Sequence, residues 1–287
     1  MIRQRTIKDP VTIEGRGLQT GFRTKLTFKG SPANSGINFI RTDLPDRPVV
    51  NIQSLSLDGA ALKRRRTVIG NGKAEIHTTE HLLAALSGLG ISNIVVEING
   101  RELPGLDGSA GDYVAALDRS RLVEQDAPVK KLVVNKPVWC GNRDSFLAVF
   151  PHSSLRISYF LSYPVQSIGD QFLSLDISDD VFRREIAPAR TFCMKRESPW
   201  LLALGLGRGA DYNNTLIMGK NGPFKNSLRF PDEHVRHKML DLMGDLSLAG
   251  MPLEGHVVAV KSGHSLNMEL VKKLKKLILT RLGTAID

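Results

Sequence analysis

The stretch EHVRHKMLDLMGDLSLAG, residues 233–250, has the spacing of one amphipathic helix, and the fold can be worked out from it. Apolar residues recur three and four positions apart and therefore share one broad face, which consists of Val235, Met239, Leu240, Leu242, Met243 and Leu246. His237, Asp241 and Asp245 recur every fourth residue, so they stack along the same helix. An imidazole above two carboxylates on a helix that is otherwise strongly apolar needs a polar partner elsewhere in the chain.

A related order of elements occurs earlier in the chain. The helix signal TTEHLLAALSGLG (78–90) precedes the strand signal NIVVEI (93–98), a Gly/Pro-rich turn and a helix from Ser109. The helix near residue 232 likewise precedes the strand signal GHVVAV (255–260), the turn KSGH and a helix from Ser265. Both halves therefore end in the order helix, strand, turn, helix.

Strand-like segments precede the helices in both halves. They are KLTFKG (25–30), GINFIRT (36–42) and VVNIQSLSL (49–57) in the first half, and KLVVNKPVWC (131–140), SFLAVFP (145–151) and RISYFLSYP (156–164) in the second. The polar segment 118–131 predicts a linker, which gives domains at 1–122 and 129–287. We therefore predict an α+β protein of two tandem units with similar topology. If they pack helix to helix, helix 79–88 meets helix 232–248.

His237 and Asp241 form an H-x-x-x-D pair that could hold a cation between adjacent helical turns. Taken alone, such a pair is more often a solvated face or a His–Asp hydrogen bond. Glu80 and His81 open the matching helix, where a first-turn carboxylate and a buried imidazole would be the plain interpretations. Together, His81, His237 and Asp241 predict a catalytic Zn²⁺ site, although the same set could hold Fe²⁺.

Three further side chains could supply proton transfer at such a site. Glu80 adjoins a candidate ligand and could act as the general base. His264 lies at a strand-to-helix turn and, if protonated, could stabilise an oxyanion or protonate a leaving amine, although turn histidines are more often merely exposed. Asp245, one turn beyond Asp241, could orient His264.

Composition limits the class of protein. The chain has 287 residues, 41% hydrophobic residues, two cysteines and a formal net charge of +10. It has no apolar run of eighteen residues and no apolar segment near its start, so we expect a cytoplasmic protein. The run LKRRRT (62–67) is interpreted as a solvated face, with contact to nucleic acid or phosphate as the alternative. The amphipathic segment 269–282 predicts a helix packed on its own domain, with a membrane surface as the alternative.

Five motifs in order resemble the zinc-dependent UDP-3-O-acyl-N-acetylglucosamine deacetylases. They are TTEHLLAALSGLGISN, ELPGLDGSAGDY, EIAPARTF, RFPDEHVRHKMLDLMGDL and KSGHSLN, and the likeness runs from GRGLQTG near residue 15 to about residue 272. The resemblance implies hydrolysis of the acetamide of UDP-3-O-(3-hydroxyacyl)-N-acetylglucosamine to the free amine and acetate, the committed step of lipid A synthesis. It also implies two βα sandwiches with helices inward and inserts at about 55–75 and 193–224.

The resemblance assigns roles to individual residues. Zinc ligands would be His81, His237 and Asp241, and the catalytic residues would be Glu80, His264, Asp245, Thr191 and Lys238. Thr191 would bind the oxyanion and Lys238 would reach the substrate, whereas spacing alone suggests a loop threonine and a solvated lysine. Asp107 falls in a family motif, yet turn formation explains it. Gln19 replaces the usual histidine.

The expected partner is a UDP-linked acylated glucosamine, with transient contact at the inner membrane surface. We expect a monomer and no nucleic-acid partner, since no helix-turn-helix, zinc-finger or aromatic RNA-binding motif occurs. A basic nucleic-acid-binding protein and an inactive relative are the competing hypotheses. The filled catalytic positions count against the latter.

Overall fold

The computed structural model describes residues 2–53 and 66–281. Its helices are α1 (Glu80–Gly88), α2 (Gly111–Arg119), α3 (Asp179–Val181, continued by a π turn over Phe182–Ile186), α4 (Ser198–Ala203), α5 (Glu233–Ser247) and α6 (His264–Arg281), with short 3₁₀ turns at Gly72–Ala74 and Lys195–Glu197. Within the described ranges, no helix has both the length and the apolar character needed to cross a membrane.

Eighteen strands connect these helices across the described ranges. The first nine are β1 (Arg3–Ile7), β2 (Val11–Arg16), β3 (Arg23–Gly30), β4 (Ile37–Arg41), β5 (Val49–Asn51), β6 (Val68–Ile69), β7 (Ile76–His77), β8 (Ile94–Ile98) and β9 (Leu122–Pro128). The remainder are β10 (Leu132–Val133), β11 (Val138–Gly141), β12 (Phe146–Phe150), β13 (Leu155–Ser162), β14 (Asp170–Asp176), β15 (Phe192–Met194), β16 (Leu216–Gly219), β17 (Gly222–Pro223) and β18 (Leu253–Val260).

The two large sheets share one strand order. The first runs β2-β3-β8-β4-β5, and the second runs β11-β12-β18-β13-β14 with β10 also paired to β18. In each, the central strand, β8 or β18, is antiparallel to one neighbour and parallel to the other. The prediction of an α+β fold is confirmed. The repeated order also agrees with two units of similar topology, while the boundaries 1–122 and 129–287 stay predictions.

Helices α1 and α5 each lead into the central strand of their own sheet, and they pack against each other. Gly244 allows this close approach, because a Cβ there would lie 2.0 Å from the backbone oxygen of Glu80. Both helices are almost entirely buried. The packing places the polar residues of the two helices in one interior region.

Several local predictions need correction. Residues 118–131 are not a bare linker, because Leu122–Pro128 forms β9 and pairs antiparallel with β1. The segment 131–140 divides into β10 and β11 around Pro137, which cannot donate to a strand ladder. Of the basic run, 62–65 lies outside the described residues, as does most of the first insert (55–75). Arg66 is buried rather than solvated.

Two segments of the second half, the amphipathic 269–282 and the apolar 200–207, have different outcomes. In α6, Leu270, Val271 and Leu274 are buried, so this helix packs on its own half as predicted. The resemblance implies that the stretch WLLALGLG (200–207) frames an apolar tunnel for the acyl chain, which stays a prediction, whereas the sequence alone suggests a short buried helix. Instead, α4 carries no buried residue, and Trp200 and Leu202 are more than half exposed.

Candidate active site

The contact between α1 and α5 brings three candidate ligands together. His81 comes from the first turn of α1, and His237 and Asp241 come from successive turns of α5; all three are buried. Their ligand atoms lie within 4.8 Å of one another, and among the described residues no other group of three His, Cys, Asp or Glu does so. The Oδ1 atom of Asp241 lies 3.4 Å from Nε2 of His237 and 3.8 Å from Nε2 of His81.

Hydrogen bonds orient two of these side chains. Nδ1 of His237 lies 3.1 Å from the carbonyl oxygen of Ala189, which can only accept, so Nδ1 carries the proton and Nε2 keeps its lone pair. Nζ of Lys238 donates to Oδ2 of Asp241 over 2.6 Å. The other carboxylate oxygen is therefore left facing the two imidazoles.

The protonation states of the three groups suit a divalent cation. Burial, aided by neighbouring His237, lowers the pKa of His81 to about 3, and burial also lowers the pKa of His237. Burial alone would raise the pKa of Asp241, but the Lys238 ammonium and the nearby imidazoles outweigh it and hold this pKa well below its usual range. Two neutral imidazoles and one carboxylate fit the donor set of a catalytic Zn²⁺ or Fe²⁺ site.

Glu80 is buried beside this group, with its two carboxyl oxygens in different surroundings. Oε2 accepts a hydrogen bond from the backbone N–H of Thr67 over 3.0 Å. Oε1 lies 3.9 Å from Nε2 of His264. Burial raises the pKa of Glu80 to about 7, against the opposing charge of His264, so this carboxyl group can exchange protons near neutral pH.

His264 lies at the start of α6 and faces Glu80 across the pocket. Its Nδ1 hydrogen-bonds Oδ2 of Asp245 over 2.8 Å, and Asn267 donates to the same oxygen over 2.7 Å. Burial alone would lower the pKa of His264, but the Asp245 charge and hydrogen bond raise it to about 9. The protonated ring can therefore present an N–H at Nε2 below that pH.

These groups open into a cavity of about 690 Å³. Thr191 and Lys238 line it together with the three candidate ligands, Glu80 and His264. Thr191 is fixed through its backbone, whose N–H donates to the carbonyl oxygen of Gly108 over 2.8 Å. The structure thus brings together every residue that the sequence assigned to the site, while their chemical roles stay predictions.

Asp107 has a structural explanation. Its Oδ1 accepts from the backbone N–H of Ser109 over 3.0 Å, and its Oδ2 accepts from Nη1 of Arg229 over 2.7 Å. These contacts make a turn and an ion pair, as the turn interpretation expected.

Sequence reasoning missed three contributors to the site. The Thr67 hydroxyl hydrogen-bonds Asp245, and the backbone N–H of Thr67 donates to Glu80. The Ala189 carbonyl acts through the backbone and so leaves no residue-type signal. Asn267 does carry one, because it lies three residues after His264 and therefore on the same side of α6.

Two histidines and one carboxylate beside a buried glutamate and an open cavity are typical of hydrolases that use one metal ion to activate water. The model of the UDP-3-O-acyl N-acetylglycosamine deacetylase (LpxC) family matches residues 4–276. The chain is 41% identical to a UDP-3-O-acyl-N-acetylglucosamine deacetylase of Chlamydia pneumoniae, covering 94% of this chain and 96% of that one. Like-named proteins of Geobacter sp. (strain M21) and Bdellovibrio bacteriovorus are 41% and 37% identical, each covering 96% of this chain and 90% of the relative.

The chain belongs to the UDP-3-O-acyl-N-acetylglucosamine deacetylase family, and it is a hydrolase of the amide-cleaving kind.

Proposed function

We propose that this protein hydrolyses the acetamide of UDP-3-O-(3-hydroxyacyl)-N-acetylglucosamine to the free amine and acetate, as a step of lipid A biosynthesis. Family membership over nearly the whole chain supports the substrate class. The observation that carries the reaction type is the convergence of His81, His237 and Asp241 beside Glu80 and His264. We further propose Zn²⁺ as the resident metal, with Fe²⁺ fitting the same donors.

The chain's own groups divide the proton transfers between them. A bound Zn²⁺ ion would supply Lewis-acid polarisation of the amide carbonyl and of water. Oε1 of Glu80, which faces His264 while Oε2 is held by the backbone, takes the proton of the attacking water. Water adds to the carbonyl carbon, the C–N bond breaks, and Nε2 of His264 gives its proton to the departing nitrogen. Asp245 supports the charged ring throughout.

Two more residues complete the proposed assignment. Thr191 lines the cavity and would donate to the oxygen on which negative charge develops. Lys238 holds Oδ2 of Asp241 and borders the same cavity, so it would orient that ligand and contact substrate. A cytoplasmic location, a monomeric state and transient contact with the inner membrane surface remain our proposals from the sequence.

The test is acetate release from UDP-3-O-(3-hydroxyacyl)-N-acetylglucosamine of several acyl-chain lengths by purified protein, before and after chelation and after Zn²⁺ is restored. We expect one acetate per free amine, loss of turnover with the chelator and recovery with the metal. UDP-N-acetylglucosamine, which lacks the acyl chain, is the control substrate and should turn over far more slowly. Absence of acetate from the metal-loaded protein would exclude the proposed reaction.

A further inference from the structure

The loop GRGLQTG (15–21) contacts a buried carboxyl group that the proposed reaction does not use. Glu102 is 2% exposed, and its side chain accepts four hydrogen bonds. Oε1 accepts from the backbone N–H of Gln19 over 2.8 Å and from the hydroxyl of Thr78 over 2.9 Å. Oε2 accepts from the backbone N–H and the hydroxyl of Thr20, over 2.8 and 2.6 Å. One carboxyl group therefore joins two separate segments of chain.

The first of these segments is a wall of the cavity. Leu18 and Gln19 line it, and Gln19 also reaches the second insert. Its Oε1 accepts from the N–H of Gly207 over 3.1 Å, and its backbone oxygen accepts from the N–H of Arg208 over 3.1 Å. Gly17 must lack a side chain here, because a Cβ would lie 2.2 Å from Oε2 of Glu102. The carboxyl group thus fixes a loop that bridges the two halves of the protein.

The second segment leads into α1. Thr78 has φ of +56°, a left-handed conformation that is unfavourable for a β-branched residue. It lines the cavity and lies two residues before Glu80 and three before His81. The hydrogen bond from its hydroxyl to Glu102 holds this turn, and strand β7, just before Thr78, bridges to Glu102 through His77. The conformation at Thr78 sets the direction in which Glu80 and His81 enter the site.

We propose that Glu102 is a positioning residue. Its carboxyl group fixes the position of the Leu18–Thr20 cavity wall relative to the Thr78 turn, and therefore relative to α1, which carries Glu80 and His81. We call these four hydrogen bonds the Glu102 clamp. The kinetic part of this inference rests on the proposed deacetylation. Two of the four donors are backbone N–H groups, which cannot reverse their role. A glutamine at position 102 would have to turn its NH₂ toward one of them, whichever way its amide lies.

This asymmetry defines the experiment. Glu102→Gln keeps shape and loses acceptor capacity, whereas Glu102→Asp shortens the side chain and keeps both acceptor oxygens. An unsatisfied buried donor is costly, and the Gln19–Thr20 backbone would move to relieve it. We therefore expect Glu102→Gln to lower kcat/KM at least roughly tenfold, and Glu102→Asp to retain more activity. Glu97→Gln is the matched control, because Glu97 pairs with Lys29 and Arg47 on the partly exposed side of β8 and, among the described residues, does not line the cavity.

A higher kcat/KM in Glu102→Gln than in Glu102→Asp would overturn the proposal, because that order is expected if the side chain at position 102 only fills space. So would a folded Glu102→Gln protein with kcat and KM within twofold of the wild type. If Glu102→Gln does not fold, Thr20→Val and Thr78→Val each remove one hydroxyl donor without changing side-chain shape. Thr20→Val should chiefly raise KM through the cavity wall, and Thr78→Val should chiefly lower kcat through α1. If kcat and KM were unchanged in both threonine variants, the proposal would also be overturned.

Amide hydrogen exchange separates this inference from the proposed reaction. Exchange at residues 19–20 and 207–209 should accelerate in Glu102→Gln, or in Thr20→Val if the former does not fold, and stay close to wild type in Glu97→Gln. If the wild-type protein and Glu97→Gln both fail to release acetate, the proposed reaction is wrong. The hydrogen-exchange measurement would still test the Glu102 clamp in that case. Unaltered exchange at both segments would refute the clamp even in a fully active enzyme.

Discussion

Glu80 provides the sharpest prediction at the scale of single residues, because its two oxygens have different partners. Glu80→Gln can still accept the Thr67 N–H through its amide oxygen, but it has no basic oxygen left toward His264. We expect the variant to keep its metal and to lose at least roughly a hundredfold in kcat. Metal content by elemental analysis and turnover in the same sample check this. Near-normal kcat would remove Glu80 from proton transfer.

His264 predicts a pH dependence. With its pKa raised to about 9, the ring is protonated at neutral pH and can donate from Nε2; it loses this proton as pH rises through about 9. Turnover should therefore fall on the alkaline side of the profile near that pH. His264→Gln should lower kcat and flatten the alkaline limb, whereas His152→Gln, on a ring distant in sequence and absent from the cavity lining, should leave it unchanged. A full alkaline limb in His264→Gln would assign that ionisation to another group.

The residues of the site differ in how far sequence alone could predict them. His237, Asp241 and Asp245 follow from helical spacing, because positions four apart share one side of α5. The link from this helix to His81 required the repeated order of elements. Thr67 and the Ala189 carbonyl could not be found, since both act partly or wholly through the backbone, which is the same for every residue type.

Among the elements, the packing of α1 on α5 depends on Gly244. Helix propensity alone favours alanine over glycine in a helix interior by about 1 kcal/mol. A Cβ at this position would lie 2.0 Å from the carbonyl oxygen of Glu80, and relieving such an overlap costs typically 1–3 kcal/mol or more. We therefore expect Gly244→Ala to destabilise the protein and to reduce bound metal by displacing His81.

Denaturant unfolding and metal analysis measure both effects, with Ser87→Ala as the control on an exposed position of α1. That control should change the free energy of unfolding by less than about 0.5 kcal/mol. If Gly244→Ala had an unchanged or higher free energy of unfolding and kept its metal, α1 and α5 could move apart without disturbing the ligand set, and the prediction would be wrong.

Sequence patterns predicted the elements that have a marked apolar face better than those that lack one. Strands β3, β12 and β13 were expected from alternation, and α5 from its apolar face. The sequence did not predict β9 and β14, because both are largely exposed and contain several polar residues, which leaves little apolar pattern. The α4 segment is the opposite case, because it is apolar and yet carries no buried residue, so the alternative of a short buried helix is wrong.

At the scale of the whole molecule, the site exists only where the two halves meet. The two sheets have the same strand order, so α1 and α5 occupy equivalent positions, and each contributes part of the donor set. The order of elements in the sequence could indicate this duplication, although the two halves have almost no residue identity when they are compared. It could not indicate that β9 returns to pair with β1 or that Gln19 reaches Gly207, because such contacts depend on the completed packing.

A metal held by both helices should stabilise the folded chain, because binding to the folded state alone shifts the unfolding equilibrium. Free metal at a hundred times its Kd would contribute about 2.7 kcal/mol, which for a chain of this size corresponds to roughly 5–10 °C in Tm. We expect chelation to lower Tm by this order and added Zn²⁺ to restore it. His237→Ala should abolish the chelator-dependent shift, because His81 and Asp241 alone leave the ion one donor short. A shift that persists in this variant would locate the stabilising metal elsewhere, and no shift in the wild type would show that the interface between α1 and α5 is complete without an ion.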